Sequence, residues 1–100
     1  MPFEQIIPRS FTPPAVREYA PVTSGVYGIS NALRWIYVGE SENIQQALLG
    51  HLAESGTSIL KESPTGFVFE VCDRQSRMVR QGRLVTEYVP SCNRQASRYR

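Results

Sequence analysis

The sequence predicts a small α/β domain in which a three-stranded antiparallel sheet is flanked by helices, in the order β-β-α-β-α. Three observations carry this expectation. Two runs rich in β-branched and aromatic residues, Val26 to Ile29 and Leu33 to Val38, flank a polar Ser30-Asn31 pair, the pattern of a hairpin. Ile44, Leu48, His51 and Leu52 then recur at helical spacing, one buried stripe on one helix. Phe67, Phe69 and Val71 alternate with Val68, Glu70 and Cys72 ahead of a long arginine-rich helical stretch.

Taken in order, residues 1–23 are proline-rich (Pro2, Pro8, Pro13, Pro14, Pro21) and are expected to lie mostly extended over the surface. Within them Thr12 before Pro13 reads as an N-cap and first helical position, allowing one short helical turn to Tyr19. The domain proper spans 24–93. After the hairpin, Glu40-Ser41 lead into a helix from Glu42 to Ala53, which Gly56 ends. A loop through Ser63-Pro64-Thr65-Gly66 precedes the strand Phe67 to Cys72. The last helix runs from Arg74 to Glu87 and stops before Pro90; residues 94–100 form a basic tail.

The chain of 100 residues has the size of one domain with one modest core. No apolar run approaches the roughly 20 residues that span a bilayer, so no membrane partner is expected. The N-terminal MPFEQIIPRS has an acidic residue and prolines where a secretion signal has a basic patch and an apolar stretch, so export is not expected. Cys72 and Cys92 are too few for a disulfide scaffold and lack metal-site spacing; buried free thiols in a reducing compartment, the cytoplasm, are the expectation. Charge is divided along the chain. Residues 1–73 carry four basic side chains against eight acidic ones, whereas 74–100 carry seven arginines against Glu87 alone. Arginine is the planar, weakly hydrated cation that suits phosphate, so this split points to an anionic partner.

Four landmarks stand in register: Gly25-Val26-Tyr27, Tyr37-Val38-Gly39, the Asn43-Ile44 helix start, and a closing Leu84-Val85 helix that gives way to Pro90-Ser91-Cys92-Asn93. Together they resemble the GIY-YIG nucleases, small α/β domains that cut phosphodiester bonds with one divalent metal. The resemblance implies that Tyr27 activates the attacking water and Tyr37 helps arrange it. It also implies a helical arginine that steadies the phosphate and a glutamate on the last helix that binds the metal. Aligned without gaps, the arginine position is Ala47, and the glutamate position, three residues before Leu84-Val85, is Gln81. Magnesium is a hard cation that wants anionic oxygen, and a neutral amide holds it poorly. Losing the cation that steadies developing charge costs about 3–4 kcal/mol of barrier, by analogy with deleted oxyanion donors. The expectation is a degenerate site with no cofactor, or with Mg or Mn if the domain is active.

Several residues carry two readings. Tyr27, Trp35 and Tyr37 are expected on one hairpin face, stacking bases or filling the core. His51 is a general base or phosphate ligand, or a hydrogen-bonded core histidine on the apolar stripe. Gln81 stands within an apolar face of Met78, Val85 and Tyr88, as a satisfied core amide or a site-lining one. Arg74, Arg77, Arg80 and Arg83 track a phosphate backbone, or form a solvated helix face. Glu40, Glu70 and Arg34 are the side chains available as displaced ligands or cation. The leading expectation is a degenerate domain that binds nucleic acid, DNA before RNA, through Arg74, Arg77, Arg80, Arg83, Arg94 and Arg98. An active metal-dependent DNA endonuclease with relocated catalytic residues is the alternative, and a protein-interaction module a third.

Overall fold

The structure, a computed structural model, describes residues 2–3 and 7–93. In chain order the elements are β1 (Arg9–Ser10), α1 (Pro13–Tyr19), β2 (Gly25–Ser30), β3 (Trp35–Ser41), α2 (Ile44–Ala53), α3 (Ser58–Lys61), β4 (Gly66–Val71) and α4 (Arg74–Tyr88). The strands form one sheet in the order β1-β4-β2-β3, with every pairing antiparallel. The expected α/β architecture is therefore present, with four strands among the described residues rather than three. The additional strand is the two-residue β1, paired with Phe67 and Gly66, which is too short for alternation to reveal.

Each helix begins on a side chain able to accept from the first turn. Thr12 accepts from Ala15 N, Asn43 from Gln46 N, Thr57 from Leu60 N and Asp73 from Ser76 N. The short α3, absent from the sequence reading, is one turn built on the Thr57 cap. Helix α4 ends on Val89 in the left-handed conformation, φ 47°, whose N–H donates to the Val85 carbonyl before Pro90. A β-branched residue is strained there, and the turn aims residues 90–93 back at the sheet.

Between β2 and β3 the Asn31 side chain accepts from the N–H groups of Leu33 and Arg34. Leu33 and Arg34 thus belong to the turn, and the second strand starts at Trp35, two residues later than its composition suggests. The register then slips: Ile29 faces Tyr37 but Ser30 faces Trp35, leaving Ile36 as the extra residue of a bulge. That slip corrects the aromatic face. Tyr27 and Tyr37 lie on one side of the sheet, while Trp35 is turned to the other, against Phe3 and Tyr88.

Helices cover both sides. Val16 and Ala20 of α1, Ile44 and Leu48 of α2, and Ile59 of α3 pack with Tyr27, Ile29, Ile36 and Phe67. On the opposite side Leu84 of α4 packs with Val26, Val38 and Val68, and with Phe3. Every residue of β2 is buried, as befits the strand between two partners and two helical layers. The proline-rich segment keeps most of its described residues exposed, yet it is anchored in this core by a few side chains. Phe3, Phe11, Val16 and Ala20 are all buried, and α1 forms where Thr12 and Pro13 place it. The apolar face of α4 is centred on Leu84. Met78, six residues away and about 120° around the helix, is exposed, which removes it from the face expected for it.

Candidate active-site cluster and its surroundings

The two motif tyrosines meet because β2 and β3 pair in register, with Tyr27 opposite Gly39 and Tyr37 two residues before that glycine, on the same face. Gly39 is glycine for a steric reason: a β-carbon there would run into the Tyr27 hydroxyl and the Tyr37 ring. Helix α2 crosses the same side and brings His51, two turns after Ile44, onto the pair. The Tyr27 hydroxyl and His51 Nε2 are 2.8 Å apart, and the His51 ring meets the Tyr37 ring edge-on at 5.3 Å between centroids.

Burial sets the protonation of this cluster. The Tyr27 hydroxyl is held far above its ordinary value, by desolvation first and by its neighbours Tyr37 and Glu40 second. Tyr37 is raised for the same leading reason, with Glu40 and Cys92 adding to it. His51 is lowered by burial, against which Glu54 acts in the opposite sense. The arrangement therefore joins a protonated phenol to a neutral imidazole by one shared hydrogen. Of the three, His51 has the lone pair able to take a proton near neutrality, and Tyr27 can relay one to it.

Ala47 lies one turn before His51 on α2, partly buried against the core. It places a methyl group where the resemblance implies a guanidinium. Gln81 faces the sheet from α4, and its Nε2 donates to the Val38 carbonyl at 3.1 Å. Asn93 brackets the same residue. It accepts from Val38 N–H at 2.7 Å and donates to the Val38 carbonyl at 3.0 Å. Asn93 was legible only as the last residue of the closing motif; its work on the edge of β3 needed the tertiary structure.

The four arginines of α4 do not share a face. A spacing of three falls back about 60° per step on an α-helix, so four of them span about half its circumference. Arg77 and Arg80 turn inward. Arg77 Nε donates to Glu40 at 2.5 Å and Nη1 to Ser24 Oγ at 3.0 Å, with Glu42 at 3.8 Å. Arg80 makes a two-pronged contact with Glu70, at 2.7 and 2.8 Å, and donates to the Pro2 carbonyl. Arg74 and Arg83 are exposed, on opposite flanks. Arg34 sits in the β2–β3 turn, 3.6 Å from Glu62. Arg94 and Arg98 lie outside the described residues.

The donor set does not fit a divalent cation. Gln81 offers only a neutral amide, already turned with its Nε2 toward the Val38 carbonyl, and the two carboxylates offered as replacements, Glu40 and Glu70, are each held by a guanidinium. Among the described residues no three His, Cys, Asp or Glu side chains gather closely enough to hold a metal. Cys72 and Cys92 are free, both with thiols pushed up by burial. No helix of the described residues is long and apolar enough to cross a membrane.

No protein-family model matches the chain, and no curated protein sequence matches it. Solved structures do. The N-terminal GIY-YIG endonuclease domain of UvrC from Thermotoga maritima, bound to magnesium as its catalytic divalent cation, superposes with a TM-score of 0.66 at 21% identity over 76% of this chain and 92% of that one. A cation-bound point mutant of the same domain superposes with a TM-score of 0.65 at 20% identity, covering 76% and 91%. Likeness at this level of identity speaks for architecture, and the architecture agrees in its antiparallel sheet and its flanking helices: the chain has a GIY-YIG-like fold.

Proposed function

We propose that this domain binds nucleic acid, DNA in preference to RNA, on a nuclease fold whose own cleavage chemistry has been lost. The observation that carries the reading is the state of the candidate metal ligands. The resemblance sets Gln81 where a carboxylate is needed, and the side chain there is a neutral amide whose Nε2 donates to the Val38 carbonyl. Glu40 and Glu70 would have to leave Arg77 and Arg80 to serve instead. Ala47, one turn before His51, carries a methyl group where the resemblance implies a cation. The UvrC domain holds magnesium as its catalytic ion; here the neighbouring side chains are amide, methyl and paired carboxylate.

The anionic partner follows from the seven arginines of residues 74–100. Arg77 and Arg80 are engaged with the sheet, so phosphate contacts fall to Arg74 and Arg83, with Arg94 and Arg98 beyond the last described helix. A second reading, an active metal-dependent endonuclease with displaced ligands, is favoured by one feature: Tyr27 and His51 are hydrogen-bonded, and the Tyr37 ring packs against both.

The experiment incubates the full chain with supercoiled plasmid and branched DNA, at low salt, with Mg²⁺ and Mn²⁺, and reads cleavage and gel shift together. A shift without cleavage is expected. Cleavage that disappears in Tyr27→Phe would establish the second reading. Absence of any shift at low salt would turn the function toward a protein partner. In a salt titration of binding, Arg74→Ala and Arg83→Ala should each reduce the log–log slope by up to about 0.9, the value for one phosphate contact on duplex DNA.

A further inference from the structure

Three hydrogen bonds from two amide side chains converge on one backbone position at the free edge of β3. The Val38 carbonyl accepts from both Asn93 Nδ2 and Gln81 Nε2, and the Val38 N–H donates to Asn93 Oδ1. A carbonyl oxygen has two lone pairs, and both are used here. Asn93 imitates a neighbouring strand for one residue. Gln81 ties the same point to α4, across the layer from the tyrosines. Val38 stands between Tyr37 and Gly39, so whatever holds it holds the strand that positions the aromatic cluster.

We propose that Gln81 is a positioning residue: its carboxamide fastens the edge of β3 by a hydrogen bond at a place where a carboxylate would require a cation. The chemistry is one of donors. A carboxylate of the same length has no hydrogen to give, and set against the Val38 carbonyl it would face oxygen with oxygen. Partly buried, that pairing is unfavourable unless a hard cation lies between, since such ions take carboxylate and backbone carbonyl oxygens alike. The amide removes the need for the ion and keeps the strand in place. The inference rests on the reading of position 81 given above and is independent of nucleic-acid binding.

The test compares the full-length chain with Gln81→Met and Gln81→Glu in EDTA, in MgCl₂ and in MnCl₂. It reads thermal midpoints and residue-resolved amide hydrogen exchange. The wild type should melt at the same temperature in all three solutions. Gln81→Met keeps the shape without the donor. It should melt about 4–8 °C lower, the shift for one net hydrogen bond in a domain of this size, with no response to the ions. Gln81→Glu should melt lower in EDTA and recover at least half of the loss with one of the cations. In EDTA the Val38 amide of both variants, left with Asn93 alone to hold that edge, should exchange at least tenfold faster while the β2–β4 amides stay protected.

Unchanged melting and exchange in Gln81→Met would overturn the fastening role. A Gln81→Glu protein indifferent to both cations, or a wild type that melts higher with either, would overturn the substitution of amide for ion. Should Gln81→Glu fail to fold, the Met variant and the wild-type cation series still decide the fastening role and the wild type's independence of the ion. None of these readouts depends on DNA, so failure here and failure of the binding reading are distinguishable.

Discussion

Gly39 has room for a hydrogen and nothing larger, because the Tyr27 hydroxyl and the Tyr37 ring occupy the space where a β-carbon would sit. Gly39→Ala is expected to cost about 1–3 kcal/mol of stability in urea unfolding, the range for forcing a methyl into a packed site. It should also displace the Tyr27 hydroxyl from His51, visible as a changed His51 imidazole signal by NMR. His51 makes a pH prediction. Its folded-state pKa lies below the ordinary 6.5 because burial disfavours the charged ring. Between the two values the unfolded chain binds the proton more readily, so the contribution of His51 is whole above 6.5 and is lost as pH falls through the folded pKa. Urea midpoints at pH 7.5 and pH 5 should therefore fall on acidification, and the fall should be smaller in His51→Gln. Tyr27, Tyr37 and His51 were each legible as candidates from motif and periodicity. Trp35 was misplaced by simple alternation, since one bulged residue, Ile36, reverses the side on which everything before it points.

At the scale of elements, α4 shows how a regular charge pattern misleads. Arginines at spacing three suggest a stripe, yet the helix carries them round from one flank, through the buried face, to the other. Arg77 and Arg80 consequently pair with Glu40 and Glu70 on the sheet, with side chains 12% and 16% exposed. A double-mutant cycle of Arg80→Met and Glu70→Gln should give a coupling of about 1.5–3 kcal/mol, as for charge-assisted hydrogen bonds of good geometry, measured from urea midpoints. A coupling near zero would place this contact with ordinary surface ion pairs. The helix itself was readable, from Arg74 to Glu87 with a stop before Pro90. Its orientation was not, because composition alone does not say which of two faces meets the sheet.

Across the whole molecule, the described part of the proline-rich first 23 residues is anchored in the core by Phe3, Phe11, Val16 and Ala20. Phe3 stacks against both Trp35 and Tyr88, which also touch each other, and Phe11 packs on Phe67, so the segment contributes to both layers. Phe11→Ala is expected to cost about 3–5 kcal/mol, the range for emptying a buried phenylalanine site. For a domain of this size that is a large share of its total stability. Thermal unfolding with the full chain as reference measures it. A loss under 1 kcal/mol would return this segment to the surface role its prolines suggest. Proline content speaks of an extended backbone and says little about burial. That is why a composition shift at residue 23 reads as a boundary although side chains on both sides of it share one core.

The sequence by itself determined the fold class, the hairpin, the three longer helices and the identity of the motif tyrosines, because hydrophobic period, capping residues and turn chemistry are local properties. Only the tertiary structure decided which polar groups meet. The approach of His51 to Tyr27, the pairing of Glu40 and Glu70 with α4, and the convergence of Gln81 and Asn93 on Val38 join residues 10 to 55 positions apart. Such contacts depend on register, on a bulge and on the rotation of one helix about its axis. A shift of one residue in any of these would redirect the side chains without altering the pattern of hydrophobic residues that specifies the elements.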